Sequence, residues 1–62
     1  MQSWFMSYEI VDDMQRIVTK GDGTFGSNDE ETYLLVDRQR NYVAQQARVR
    51  PDQVIFISFN KL

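Results

Sequence analysis

The clearest periodic signal in this sequence lies at the two ends of the chain. Over residues 4–11 (WFMSYEIV) every second side chain is large and apolar, which is the period of a half-buried β-strand. Residues 54–59 (VIFISF) are rich in β-branched and aromatic side chains and are typical of a second such strand. The sequence therefore predicts a strand near each end of the chain.

A further strand is predicted at residues 15–20 (QRIVTK), after a turn at residues 12–14. A short helix is the rival interpretation, because Met14, Ile17 and Val18 have helical spacing and a glycine follows. The run Ile-Val-Thr favours the pleated backbone, and hence a hairpin with the first strand. Residues 21–26 (GDGTFG) are predicted to form the loop that comes next.

A helix is predicted from that loop to about Arg48. Ser27 and Glu30 have the spacing of a capping box. On a helical wheel the apolar residues fall on one side, namely Leu35, Val36, Tyr42, Val43 and Ala47. Pro51 ends the element, because a helix tends to stop before a proline.

The same segment has an alternative interpretation as two strands. Residues 33–36 and 41–49 would form them, with a polar turn at residues 37–40, and the protein would be an all-β small barrel. The good helix formers in residues 44–48 (AQQAR) favour the helix instead.

The predicted element order is ββαβ, an α+β fold in a single domain over residues 1–62. A right-handed crossover through the helix favours the third strand beside the first. We therefore expect a three-stranded, antiparallel-containing sheet in the order 2-1-3, with the helix on one face.

The number of aromatic residues predicts more apolar surface than one helix can cover. The chain has eight aromatic residues among 62. Strict alternation along the last strand puts Ile55, Ile57 and Phe59 under the helix, together with the apolar set of the first strand. Phe5, Val54 and Phe56 are then left on the open face of the sheet. Because exposed apolar clusters mark interfaces, these three are the predicted partner-binding residues.

The stretch GDGTFG matches the phosphate-binding pattern G-x-G-x-x-G but lacks what the chemistry requires. No acidic ribose partner stands about 20 residues further on, where the sequence has Val43 to Val49. The acidic residues Asp29, Glu30 and Glu31 occupy the predicted helix start, where their charge would oppose a phosphate. The glycines are expected to serve a flexible connection instead.

Composition narrows the function classes further. Cysteine and histidine are absent, which removes disulfides, thiolate zinc sites and imidazole ligands or bases. The acidic residues do not follow the spacing of a calcium loop. Carboxylate pairs are the remaining acid–base groups, and no pattern brings two together. We expect no enzyme activity, no metal, no cofactor and no small-molecule substrate.

The charge is divided unevenly between the two halves of the chain. Residues 1–31 carry seven acidic and two basic side chains, whereas residues 32–62 carry two acidic and five basic ones. The alternative hypothesis is therefore a nucleic-acid-binding regulator. The residues that would bind the phosphates are Arg38, Arg40, Arg48 and Arg50. The net charge of −2 opposes this hypothesis. On a helix Arg38 and Arg40 diverge, so nucleic acid is a disfavoured partner.

The segments WFMSYEI (residues 4–10) and VIFISFNKL (residues 54–62) resemble small ββαβ proteins of bacteriophages and prophages. The resemblance covers the first and last quarters of the chain and carries no functional residue. It implies a protein of the bacterial cytoplasm that binds host machinery. Our leading hypothesis is a non-enzymatic protein–protein interaction module, such as a phage inhibitor or accessory factor, that acts through a sheet face or edge. A homodimer is a further expectation, because a chain of this size buries a limited core. No apolar run is long enough to cross a membrane.

Overall fold

The computed structural model describes residues 1–28 and 31–62. Strand β1 spans Gln2–Val11, strand β2 Ile17–Ser27, helix α1 Thr32–Ala47 and strand β3 Val54–Lys61, with a 3₁₀ turn at Pro51–Gln53 before β3. The strands form one antiparallel sheet in the order β2-β1-β3. The predicted ββαβ order and sheet order are confirmed, and the small-barrel alternative is wrong because the sheet is open.

The turn between β1 and β2 is built by one carboxylate. Asp12 accepts backbone hydrogen bonds from Met14 at 2.8 Å and Arg16 at 2.9 Å through Oδ1. Gln15 takes the left-handed backbone conformation, with φ of 64°. Strand β2 therefore begins at Ile17, two residues later than predicted.

The stretch GDGTFG lies inside β2, so the prediction of a loop is wrong. None of its glycines has a positive φ. Gly21 and Gly23 pair with Tyr8 and Met6 of the long strand β1. The absence of a side chain at Gly21 lets the ring of Tyr8 lie across β2. Pairing with β1 overrides the poor strand propensity of glycine.

Helix α1 begins later than predicted. It starts at Thr32, and Ser27 is the last residue of β2. Of the predicted capping box, Ser27 is therefore a strand residue, and Glu30 lies outside the described residues, as does Asp29; Glu31 stands at the N-cap position of the helix. The helix ends at Ala47, and the left-handed backbone of Arg48 (φ 59°) closes the last turn.

The core lies where the C-terminal half of α1 crosses β1 and β3. Its cluster consists of Met6, Ile10, Val43, Ala44 and Val54. The buried side of the helix differs from the predicted one. Leu35, Val43 and Ala44 are buried, whereas Tyr42 is 55% exposed and Ala47 is also exposed. Burial follows i, i+4 spacing from Leu35 and Val36, which puts the polar Gln39 and Arg40 in the middle of the stripe.

Candidate functional site

A β-bulge in β3 reverses the faces that strict alternation predicts for this strand. Tyr8 pairs with Phe56, whereas its neighbour Ser7 pairs with Ser58, so that Ile57 is the extra residue. Before the bulge the even-numbered residues of β3 face the helix, and after it the odd-numbered residue Phe59 does. Because of this one inserted residue, Phe56 and Phe59 both face the helix although they are three residues apart.

Two of the three predicted partner-binding residues consequently lie on the helix side. Val54 belongs to the core and is 2% exposed, and Phe56 packs against that core. Their predicted place on the open face is wrong, and the bulge is the physical reason. Phe5, which pairs with Thr24 and Asn60, does lie on the open face and is half-buried there. Partner binding by these residues stays a prediction.

The open face carries three apolar residues, as many as predicted, but two of them differ from the predicted ones. Its apolar residues are Phe5, Ile55 and Ile57, the last of which is 59% exposed. They are surrounded by polar side chains, namely Ser7, Glu9, Lys20, Asp22, Thr24, Ser58 and Asn60. A shallow depression of about 300 Å³ lies among them. This mixed surface gives weaker support for docking than a continuous apolar face does.

The helix side of the sheet holds a more concentrated apolar surface. Five aromatic rings form a connected cluster, with centroid distances between 5.2 and 6.4 Å, and they are Trp4, Tyr8, Phe25, Phe56 and Phe59. The buried residues of α1 pack over β1 and β3, which leaves part of β2 uncovered on this side.

A groove of about 340 Å³ lies between α1 and β2. We call it the α1–β2 groove, and its lining residues are Met6, Thr24, Phe25, Arg38, Gln39 and Tyr42. Met6 and Phe25 are its apolar side chains on the sheet, and α1 supplies the polar and aromatic rim. A depression with an apolar floor and few polar groups is the usual form of a binding site.

The helix-facing row of β2 beside the groove contains two glycines, and one of them leaves open space. That row runs through Gly21, Gly23 and Phe25, at every second position. Tyr8 fills the space over Gly21, since an added Cβ there would stand 2.5 Å from its ring. Over Gly23 the space stays open, and an added Cβ would meet only the Met6 methyl at 3.9 Å. Sequence reasoning missed this site, although the G-x-G-x-F alternation has strand period.

The outer edge of β2 is a regular row of backbone groups. In an antiparallel ladder, alternate residues direct both N–H and C=O groups at the same neighbour. Leu62 donates its N–H to Ser3 O at 2.9 Å, so the odd-numbered residues of β1 are bonded towards β3 and the even-numbered ones towards β2. The residues of β2 that point their backbone groups outwards are therefore the even-numbered ones, Lys20, Asp22, Thr24 and Gly26.

The four predicted nucleic-acid-binding arginines do not form one surface. Arg38 lines the α1–β2 groove, whereas Arg40 lies on the other side of the helix, where it donates to Val54 O and stacks over Phe56. Arg48 caps the end of the helix.

Arg50 is engaged by two acidic neighbours. It donates to Asp13 at 2.6 Å and to Asp52 at 3.1 Å. The hydrogen bond to Asp13, followed by the one to Asp52, raises the pKa of Arg50 above its ordinary value. These contacts tie the start of the 3₁₀ turn to the hairpin loop and offset the positive charge of Arg50 locally.

The hairpin loop carries the other perturbed group. The pKa of Asp12 is lowered, chiefly by the hydrogen bond from the backbone N–H of Arg16 and to a smaller extent by the one from Met14. Since its Oδ2 also accepts from Arg16 Nε at 3.1 Å, the carboxylate is committed to the turn. Its arrangement is structural and does not suit an acid or base that must exchange protons with a substrate.

Among residues 1–28 and 31–62, no group of three or more acidic, histidine or cysteine side chains converges to hold a metal ion. The helix α1, of 16 residues, is too short and too polar to cross a membrane. Comparison of the chain with models of protein families, with curated proteins and with solved structures gives no match.

Proposed function

We propose that this protein is a non-enzymatic interaction module that binds an extended segment of a protein partner along β2, with side chains of that segment in the α1–β2 groove. The observation that carries the proposal is the position of the groove directly beside a regular strand edge. An added strand hydrogen-bonds to the edge, and its alternate side chains enter neighbouring pockets.

The backbone of β2 suits an incoming strand. Its register with β1 is regular from Thr19 to Ser27, so outward N–H and C=O groups recur at every second residue. The glycines keep side-chain bulk low beside the edge. The backbone contacts provide affinity that depends little on the partner's sequence.

The groove specifies the side chain that enters it. Met6 and Phe25 offer apolar contact, and the rim residue Tyr42 is 55% exposed. We expect a large aliphatic or aromatic side chain at the central position of the partner segment. On the opposite face of the added strand, Lys20 and Asp22 favour a polar or charged residue.

The lining of the groove favours binding over catalysis. Among the described residues that line it, Arg38 and Tyr42 are ionisable and none is a carboxylate or an imidazole. A proton-transfer reaction at neutral pH needs a group whose pKa lies near the operating pH. That the partner is host machinery of a phage-infected cell stays a prediction.

Selection of peptides from a random display library tests the proposed function. Bound peptides should share an extended segment with one large apolar residue. Tyr42→Ser should weaken their binding by at least about tenfold, since a buried aromatic contact is commonly worth more than 1 kcal/mol. Tyr33→Ser is the matched control, because Tyr33 is on the same helix, is 65% exposed and does not line the groove.

Two results would contradict the proposal. One is a selection that yields no common apolar position. The other is equal loss of binding by both tyrosine variants, which would place the binding surface outside the groove. Amide-proton chemical shifts of Lys20 to Gly26 on peptide addition provide a direct check, because they should move most if a strand adds to β2.

A further inference from the structure

The outer edge of β3 has an irregular spacing that the bulge imposes. Val54 O accepts a hydrogen bond from Arg40, and Leu62 N–H is bonded inwards to Ser3. Val54 therefore directs its backbone groups outwards and Leu62 directs them towards β1. Inward and outward residues alternate along the strand from each of these ends, and the bulge at Ile57 interrupts the alternation. The residues that direct their backbone groups away from β1 are Val54, Phe56, Phe59 and Lys61, at successive spacings of two, three and two residues.

We infer that this edge pairs antiparallel with β3 of a second copy of the chain. The spacing of two, three and two reads the same in both directions. A two-fold axis between Ile57 and Ser58 therefore places each outward residue opposite another outward residue. Phe56 lies opposite Phe59 of the second copy, and Val54 lies opposite its Lys61. The result is a six-stranded sheet in the order β2-β1-β3-β3-β1-β2.

A regular strand from another protein does not fit the same edge. Its outward groups recur every two residues, so it can match the segment before the bulge or the segment after it, but not both. A bulge on an edge strand is a common protection against unwanted pairing. Only a strand with the same irregularity at the same place restores the complete ladder, and an identical chain has it.

The side chains along β3 are compatible with this symmetric pairing. Lys61 is the charged residue of the strand. The two-fold axis places the two copies of Lys61 at opposite ends of the interface, so they do not repel each other closely. On the helix side, the phenylalanines of both copies form one aromatic cluster across the axis, and cross-strand aromatic pairs stabilise a sheet. On the open face, Ile55 lies opposite Asn60. On pairing, Arg40 releases the carbonyl oxygen of Val54. Asp37, whose Oδ1 lies 3.8 Å from Nη1 of Arg40, then remains near Lys61 of the second copy.

Sedimentation velocity from about 10 μM to about 1 mM protein tests the inference, because association follows mass action. The wild type should shift from monomer to dimer. Ile57→Lys, at an exposed position beside the axis, should remain monomeric because two like charges then occupy neighbouring positions across the axis. Val18→Lys is the control, because Val18 is 65% exposed on β2 and should leave the dimer intact. A wild type that is monomeric throughout, or a dimer unaffected by Ile57→Lys, overturns the inference.

A disulfide tests the register. The chain has no cysteine, so the double variant Ile55→Cys/Asn60→Cys introduces the only thiols. The two positions are about 16 Å apart within one strand at about 3.3 Å per residue, too far for an internal bridge. In the dimer they lie directly opposite each other. Mild oxidation should give a covalent dimer with two bridges. Lys20→Cys/Thr24→Cys on β2 is the control and should give none.

The two proposals fail separately. The dimer depends on the bulged edge of β3, whereas partner binding depends on β2 and the groove. Loss of the dimer in Ile57→Lys with peptide binding retained supports both assignments. Crosslinking of the β2 cysteine pair, with none at β3, would assign self-association to the wrong edge and refute the inference drawn from the bulge.

Discussion

The two glycines that face the helix from β2 should respond in opposite ways to the same substitution. Gly21 and Gly23 are two residues apart, in the same strand and on the same face. An added Cβ at Gly23 meets only Met6 Cε at 3.9 Å, an ordinary contact. At Gly21 it would stand 2.5 Å from Tyr8 Cζ and Oη and 2.8 Å from Cε2.

The magnitudes follow from backbone entropy and from the contacts of Tyr8. Replacing glycine by alanine where the backbone tolerates it stabilises a protein by about 0.4–1 kcal/mol, mainly because the unfolded chain loses freedom. Gly23→Ala should show this gain. At Gly21 the ring of Tyr8 has to move, which weakens its edge contact with Phe56, worth about 0.5–1.5 kcal/mol. Displacement of the ring is a form of overpacking, which costs about 1–3 kcal/mol in total. After the entropic gain is subtracted, Gly21→Ala should be about 1 kcal/mol less stable than the wild type.

Urea denaturation followed by the fluorescence of Trp4, the one tryptophan in the chain, measures both effects. A difference of about 1 kcal/mol corresponds to about 4–8 °C in the melting temperature of a domain of this size. In a Tyr8→Ala background, Gly21→Ala should lose its cost, because the clashing ring is gone. Equal effects at the two glycines, or a Gly21 cost that survives Tyr8→Ala, would refute the account in which Tyr8 fills the space over Gly21 and the space over Gly23 is open.

Three further outcomes follow from the structure. Val54→Ala should cost about 2 kcal/mol in urea denaturation, since two buried carbons are worth about 0.8 kcal/mol each and a cavity adds to this; a cost below about 0.5 kcal/mol would place Val54 on the open face. The lowered pKa of Asp12 implies stability that is present above its unfolded value and is lost as the pH falls through the folded one. Asp12→Asn should therefore be less stable than the wild type at pH 7, with the difference shrinking as the pH falls through the folded pKa of Asp12; a constant difference contradicts the assignment. Arg38→Ala/Arg40→Ala should leave any gel shift with nucleic acid unchanged, and a shift that depends on both would revive the alternative function.

The parts of the fold that are predictable from the sequence are those where local pattern and burial agree. β1 alternates along its length, and the run before Pro51 has strong helix formers. These segments form the strand and the helix that their patterns predict, and the element order follows from them. The rule for right-handed crossover connections then favours the third strand beside β1, which is the order that the structure has.

The candidate groove could not be predicted in the same way because it depends on missing side chains. Glycines at residues 21 and 23 indicate a loop by propensity, and only pairing with β1 reveals that they lie opposite Tyr8 and Met6. The bulge is similarly hidden. Nothing in VIFISF marks Ile57 as the extra residue, because every position in the run is acceptable on either face. Tertiary pairing decides such positions.

The two proposed interfaces together determine how strongly the protein could hold a partner. In the six-stranded sheet both helices lie on the same face, and the two β2 edges are the outermost strands, about 24 Å apart at about 4.8 Å per strand spacing. A partner that offers two copies of the bound segment can then occupy both grooves, and the second binding event becomes intramolecular. Wild type and Ile57→Lys should bind a free peptide equally. On a surface dense in that peptide, the wild type should dissociate at least about a hundredfold more slowly, an avidity gain that monomers cannot show. Equal dissociation from the dense surface would mean that the two grooves are not engaged at the same time, whatever the affinity of each alone.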